Sequence, residues 1–187
     1  MRQEVLQLCL QGTPQAWISQ EEAVLHYATG SVVWEAGDGP LATLRGGWNV
    51  PTRRASEIVI HPIIAVRGVA KRNLFDIAPR ATKAKLIKRD RNMCAYCARV
   101  FRDQDLEAEH IVPQSRGGPY DWMNLVCACT RCNSFKGARL PSEAGMSLCY
   151  LPYVPSRHED FLLRGRNVRA DVHEWLTAKL PKGSRLI

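Results

Sequence analysis

The front part of the chain contains short apolar runs separated by glycine, proline and polar residues. These runs predict strands over residues 4–10 and 31–35, and a further strand over 58–66 that Pro62 interrupts. Glycines and a proline between the last two runs predict a loop over 37–47. The front part is therefore expected to be a small strand-rich structure.

Four segments predict helices. Ser19-Gln-Glu-Glu22 is a capping-box pattern that opens a helix ending at Gly30. Residues 81–91 predict a short helix with a threonine N-cap and basic residues on most of its surface. Two short helices are expected near residues 158–163 and 168–180, after a proline-marked extended connection.

Two Cys-x-x-Cys pairs give the chain its most specific chemistry. Cys94 and Cys97 form the first pair, and Cys129 and Cys132 form the second. Each pair places two thiolates on one tight turn, and structural zinc takes four such ligands in a tetrahedron. The four cysteines therefore predict a structural Zn²⁺ site. The 31 residues between the pairs exceed a compact zinc ribbon, so a functional insert is expected there.

Other uses of the cysteines are less favoured. No strand–helix thioredoxin pattern surrounds either pair, which argues against a redox function. Seven cysteines is an odd number, and the start of the chain lacks a charged-then-apolar signal segment, so a reducing cytoplasm is expected. Cys127 is interpreted as a small buried thiol, with competition as a ligand as the alternative. No stretch approaches a membrane span, which predicts no membrane partner.

Positive charge is concentrated in one stretch of the chain. The formal net charge is +8, and residues 67–102 hold eleven Lys and Arg against Asp76 and Asp90. A basic helix over 81–91 would neutralise the backbone phosphates of a nucleic acid. The alternative is a solvated basic face that needs no partner.

Polar residues between and after the cysteine pairs carry a second signature. They lie in the segments Leu106-Glu107-Ala108-Glu109-His110-Ile111-Val112-Pro113, Ser115-Arg116-Gly117-Gly118, Asn124-Leu125-Val126 and Asn133-Ser-Phe-Lys136. In order, spacing and residue type, about residues 88–146 resemble the HNH endonucleases. More loosely, residues 12–17 and 21–34 resemble the front half of small stand-alone bacterial and phage HNH proteins.

The resemblance implies a role for each motif residue. His110 matches the general base that takes a proton from the attacking water, and Glu109 matches the acidic ligand of a catalytic Mg²⁺ or Mn²⁺ ion. Asn133 would complete the protein's share of that metal shell, and Asn124 would hold the loop and orient the base. Because neighbouring side chains on a strand point to opposite faces, the backbone is expected to bend or bulge at Glu109 and His110.

Basic residues in and before the motif are predicted to contact DNA. They are Lys83, Lys85, Lys88, Arg89, Arg91, Arg116, Arg131, Lys136 and Arg139.

The expected fold class is α+β. Residues 1–70 would form an N-terminal strand–helix–strand part and 71–91 a basic connector. Residues 92–146 would form a zinc-stabilised ββα-metal core and 147–187 a C-terminal helical extension. The N-terminal part is either a separate domain or packs on the core.

Two functional classes follow. The first is a metal-dependent DNA endonuclease that uses a single metal and a histidine base to leave 5′-phosphate and 3′-hydroxyl ends. Its substrate would be double-stranded DNA in the cytoplasm of a bacterium or phage host, and a homodimer would be needed to cut both strands. The second is a non-catalytic zinc module that binds DNA or a protein partner. Only the first needs His110, Glu109, Asn124 and Asn133 together.

Overall fold

The computed structural model describes residues 3–68, 78–165 and 167–187. The start of the predicted basic connector, with Lys71 and Arg72, lies outside the described residues. The strands are β1 (Val5–Leu8), β2 (Pro14–Ile18), β3 (Val32–Ala36), β4 (Ala42–Asn49), β5 (Arg54–Ile60), β6 (Ile63–Val66), β7 (Leu106–His110) and β8 (Leu125–Cys129). The helices are α1 (Gln20–Ala28), α2 (Lys83–Arg89), α3 (Thr130–Lys136), α4 (Arg157–Arg164) and α5 (Ala170–Thr177).

The elements confirm a mixed α+β protein, and the described residues divide into two compact units. The first unit contains the described residues up to 68 and those from 165 to 179. The second contains residues 78–164 and 180–187. The predicted C-terminal extension contributes to both, since α4 belongs to the second unit and α5 to the first. No helix in the described part of the chain is long and apolar enough to cross a lipid bilayer.

The first unit is built on a four-stranded sheet with the order β2-β1-β6-β3. β1 pairs antiparallel with β2 and parallel with β6, and every residue of β6 is buried. Val5, Ile60 and Ile64 form the buried core with the apolar face of α1. The capping box of α1 is confirmed, because Ser19 Oγ accepts from the Glu22 backbone and the Glu22 carboxylate accepts from the Ser19 backbone.

One expectation for this unit was wrong in detail, and another was confirmed. Residues 37–47 are not all loop, because β4 begins at Ala42 and pairs with β5 in a separate two-stranded ribbon. The predicted interruption of the strand run over 58–66 is confirmed, since the chain leaves β5 after Ile60 and enters β6 at Ile63. Pro62 between them has no N–H to donate, which explains the break.

The second unit is organised around α2, β7, β8 and α3. α2 begins at the predicted N-cap, where Thr82 Oγ1 accepts from the Lys85 backbone. β7 and β8 are antiparallel, and α3 follows β8 directly. α4 and α5 correspond to the two helices predicted near the end of the chain.

Arg89 lies at the centre of this unit and is fully buried. Its guanidinium pairs with Asp90 at 2.8 Å and donates to the backbone carbonyls of Trp122, Leu125 and Tyr153. Asp90 in turn accepts from the Cys127 backbone at 2.9 Å. A buried guanidinium is tolerated because these acceptors satisfy its donors. Arg89 therefore ties α2 to the entry of β8.

Candidate functional site

The four predicted zinc ligands come together in the second unit. The sulfurs of Cys94, Cys97, Cys129 and Cys132 all lie within 4.8 Å of one another. A zinc tetrahedron with Zn–S bonds of about 2.3 Å has sulfurs about 3.8 Å apart, so small movements would close the cluster on one ion. The structure thus brings together a set of soft ligands that fits a structural Zn²⁺ ion.

The surroundings of the four thiols shift the pKa values of Cys94 and Cys132 in opposite directions. Burial opposes ionisation of Cys94, but N–H groups from Cys129 and Cys97 point at its sulfur, and the net effect lowers its pKa. Burial and the neighbouring cysteines raise the pKa of Cys132. Several thiolates this close repel one another, and a divalent metal ion is what relieves that repulsion.

Cys127 lies outside the four-sulfur cluster and is fully buried among apolar side chains. Burial and the charge of Asp90 raise its pKa to about 12. The interpretation of Cys127 as a buried thiol is confirmed.

The predicted bend at Glu109 and His110 is wrong. β7 pairs with β8 in unbroken register from Leu106 to His110, without a bulge. Alternation along this regular strand therefore places Glu109 on the same face as Glu107 and places His110 on the other face. Glu109 and His110 therefore lie on opposite faces of the sheet at the end of β7.

Glu109 is held by Lys136 at the end of α3. Lys136 Nζ lies 2.5 Å from Glu109 Oε1 and donates to the His110 backbone carbonyl at 2.8 Å. Both side chains are buried, with Lys136 1% exposed and Glu109 7% exposed. Lys136 thus fixes the carboxylate of Glu109 and the backbone of His110, which are both predicted catalytic residues.

Asn133 is engaged by a residue that the sequence reasoning missed. Asn133 lies on α3 about one turn before Lys136, and its Nδ2 donates to Glu107 Oε2. This orientation leaves Oδ1 as the amide atom that can bind a cation. The i, i+2 spacing of Glu107 and Glu109 on a strand was the available signal, since it places both carboxylates on one face. Carboxylate and amide oxygens are the donor set that Mg²⁺ and Mn²⁺ accept, so these residues fit a hard divalent ion.

Asn124 clasps the loop that follows β7. Its Oδ1 accepts from the Val112 backbone at 2.9 Å, and its Nδ2 donates to the carbonyls of Val112 and Pro119 at 3.1 and 2.9 Å. Gly118 packs against these hydrogen-bonded groups, and a Cβ on it would lie 1.8 Å from the Val112 carbonyl oxygen. Only glycine fits there, which gives Gly118 a specific role in shaping the loop.

His110 carries an unsatisfied ring nitrogen. Its Nε2 is shielded from solvent and has no hydrogen-bond partner among the described residues. The ring of Tyr120 contacts the imidazole edge-on, with centroids 5.6 Å apart. Buried polar atoms in proteins are almost always paired, so an orphan of this kind marks a position where a ligand or a water belongs.

The predicted DNA-contacting residues fall into three groups. Arg89 and Lys136 are inside the unit and bonded internally, so they are not available to phosphates. Lys85, Lys88 and Arg116 each have a partner within the protein, namely Asp160, the Leu163 carbonyl and Glu143. The exposed remainder is Lys83, Arg91, Arg131 and Arg139.

Residues 94–149 match the model of the HNH endonuclease family. The match begins at the first cysteine pair and includes β7, β8 and α3 with the whole site described above. Residues 94–149 are therefore similar to an HNH endonuclease domain, and this similarity suggests nuclease activity on DNA. No curated protein matches the chain closely enough to be counted as a relative.

Proposed function

We propose that this protein is a metal-dependent DNA endonuclease that hydrolyses phosphodiester bonds and leaves 5′-phosphate and 3′-hydroxyl ends. The observation that carries the proposal is the unpartnered Nε2 of His110, shielded beside a loop that Asn124 fixes in place. A purely structural histidine would be expected to have its buried nitrogen satisfied. A zinc module without catalysis has no use for it.

His110 is the general base in this proposal. A neutral imidazole accepts the proton of the water that attacks phosphorus, a contribution typically worth about 10²–10⁴ in rate. Asn124 acts as a positioning residue, because its three bonds to Val112 and Pro119 hold the chain directly after His110. Tyr120 limits the rotation of the imidazole through its edge contact.

Glu109 and Asn133 hold the catalytic divalent ion, and the structure adds Glu107 to their surroundings. When bound, Mg²⁺ or Mn²⁺ polarises the phosphate and neutralises charge on the leaving 3′ oxygen. Lys136 orients the Glu109 carboxylate from the protein side. β7, β8 and α3 form the ββα-metal core, and the four cysteines hold a structural zinc ion at its base.

The substrate is double-stranded DNA. Of the predicted DNA contacts, Lys83, Arg91, Arg131 and Arg139 are exposed and would contact its backbone, and Arg116 can exchange Glu143 for phosphate. One chain has one site and nicks, whereas a homodimer cuts both strands. None of the seven cysteines is in a disulfide, and the proposed site of action is a reducing cytoplasm.

Cleavage of a supercoiled plasmid tests this function. Zinc-loaded wild type is compared with His110→Ala in Mg²⁺, in Mn²⁺ and without added divalent ion. We expect the wild type to nick or linearise the plasmid only with divalent ion, and His110→Ala to be slower by about 10²–10⁴-fold. His26→Ala is a control, because the His26 ring bonds to Gln7 and Ser31 in the first unit.

Zinc content and melting temperature are measured for every variant. Equal cleavage by wild type and His110→Ala would show that the base is misassigned. Salt-sensitive DNA binding without cleavage by either protein would favour the non-catalytic zinc module.

A further inference from the structure

The ribbon formed by β4 and β5 is packed only at its base. Ile58 and Ile60 contribute to the core of the first unit together with Leu41. Beyond that base, the residues of 43–57 whose side chains are described are all exposed. Among the described residues β4 and β5 pair only with each other, and a two-stranded ribbon gains little stability from its own contacts. The exposed part of the ribbon is therefore a candidate surface for a partner.

The tip of the ribbon carries large apolar side chains. Trp48 is 67% exposed and Val50 is 76% exposed, and Pro51 follows at the turn. The turn is closed by the Arg53 backbone N–H, which donates to the Val50 carbonyl. Single exposed apolar residues need no explanation, but a tryptophan, a valine and a proline at one tip form an apolar wedge.

The same tip is positively charged. Arg53 and Arg54 lie on the turn and the start of β5, and no carboxylate of the described residues is in ion-pair range of either. Arg45, which lies nearer the foot of the ribbon, forms an ion pair with Glu57 at 2.9 Å. No acidic residue occurs between 46 and 56. The wedge is therefore flanked by cations alone.

A bulge at Gly46 and Gly47 sets the direction of Trp48. The register shifts so that Arg45 faces Glu57 while Trp48 faces Ala55. The extra residue on β4 puts Trp48 on the same face as Arg45, whereas a three-residue spacing without a bulge would put them on opposite faces. A Cβ on Gly46 would lie 2.3 Å from Ser56 Oγ, so a larger residue there would require the Ser56 hydroxyl to rotate.

We propose that this ribbon is a DNA-binding arm that enters a groove of duplex DNA. Arg53 and Arg54 contact backbone phosphates, and the wedge of Trp48, Val50 and Pro51 is pressed against base edges or between base pairs. A two-stranded ribbon fits a DNA groove, and apolar side chains inserted from such elements unstack base steps. The inference rests on the proposed function only in taking DNA as the partner, since the arm is separate from the site at His110.

Binding is tested in a His110→Ala background, so that cleavage does not interfere. A short fluorescent duplex is titrated with the parent and with Arg53→Gln/Arg54→Gln. We expect the double variant to bind about tenfold more weakly, and the slope of log affinity against log salt to fall by roughly 2. Lys179→Gln/Lys182→Gln removes the same charge from exposed positions outside the ribbon and is expected to bind like the parent.

Trp48→Ala tests the wedge separately. The duplex carries 2-aminopurine, whose fluorescence rises when the base is unstacked. We expect the parent to raise this signal, and Trp48→Ala to lose the rise and bind about tenfold more weakly with an unchanged salt slope. Trp17→Phe, in the sheet of the first unit, is expected to retain the rise.

Two results would overturn the proposal that the ribbon is a DNA-binding arm. The first is wild-type affinity, salt slope and unstacking in both ribbon variants. The second is conversion of a dimer to a monomer by Trp48→Ala with DNA affinity unchanged, which would make the ribbon a contact between two copies of the chain. Plasmid cleavage by the wild-type protein is scored independently, so loss of the arm hypothesis and loss of the nuclease hypothesis give different results.

Discussion

The second unit contains two candidate metal sites that are built in opposite ways. The sulfur site consists of four cysteines whose thiols face one another and have no other role. The oxygen site consists of side chains that the protein has already paired, Glu109 with Lys136 and Asn133 with Glu107. One site is complete only with a metal ion, whereas the other keeps its shape through protein contacts.

We expect this difference to separate stability from chemistry. Crowded thiols without zinc repel once ionised and leave the turns around them unsupported, so we expect the fold of the unit to depend on the metal. The oxygen site is preorganised by a buried ammonium and an amide, so we expect loss of Mg²⁺ or Mn²⁺ to stop the proposed reaction and leave the fold intact.

Removing one zinc ligand should have the largest effect. Cys129→Ser is expected to lose zinc and unfold the second unit. Zinc binding in small zinc domains contributes about 10–16 kcal/mol, which is as large as the usual stability of a whole domain of about 5–15 kcal/mol. Bound zinc is measured by mass spectrometry and unfolding by calorimetry.

Cys149→Ser is the matched control, since Cys149 is exposed and lies outside the cluster. It should keep both its zinc and its melting temperature. A Cys129→Ser protein that melts like the wild type would show that the cluster does not support the fold.

Breaking the pair at the oxygen site should cost less. Lys136→Met leaves the buried Glu109 carboxylate without its cation, and we expect the free energy of unfolding to fall by about 3–5 kcal/mol. Replacing both residues, in Lys136→Met/Glu109→Leu, removes the buried charge and should restore most of that stability. Urea unfolding of the four proteins gives the coupling energy.

The surface pair of Arg116 and Glu143 provides the comparison. Both side chains are more than two-fifths exposed, so Arg116→Gln should unfold at the wild-type urea concentration. Additive effects of Lys136→Met and Glu109→Leu would show that the two residues do not support each other.

The two sites also differ in how far the sequence could predict them. The four cysteines were identified as ligands because each pair is only three residues apart, and local geometry determines where their sulfurs point. Lys136 was predicted to contact DNA because a lysine at that spacing is usually on the surface. Its burial against Glu109 depends on how α3 packs on β7, which no local pattern contains.

Similar reasoning applies to the fold. α1 and α2 were predicted with their N-caps, because a capping box and a capping threonine act within one turn of helix. β4 was predicted as loop because glycine normally ends a strand, yet Gly46 and Gly47 form a bulge within one. The pairing partner of that strand decided its structure.

The last and smallest effect concerns the position of the divalent ion. In the wild type the Asn133 amide donates a hydrogen bond to Glu107, whereas Asn133→Asp places a second carboxylate there. We expect a lower melting temperature in Mg²⁺-free buffer and a larger stabilisation by Mg²⁺ than in the wild type. At a concentration tenfold above its Kd the ion should contribute roughly 1.4 kcal/mol. Asn133→Ala should lose the Mg²⁺ response, and a response equal to that of the wild type in both variants would place the ion away from Asn133.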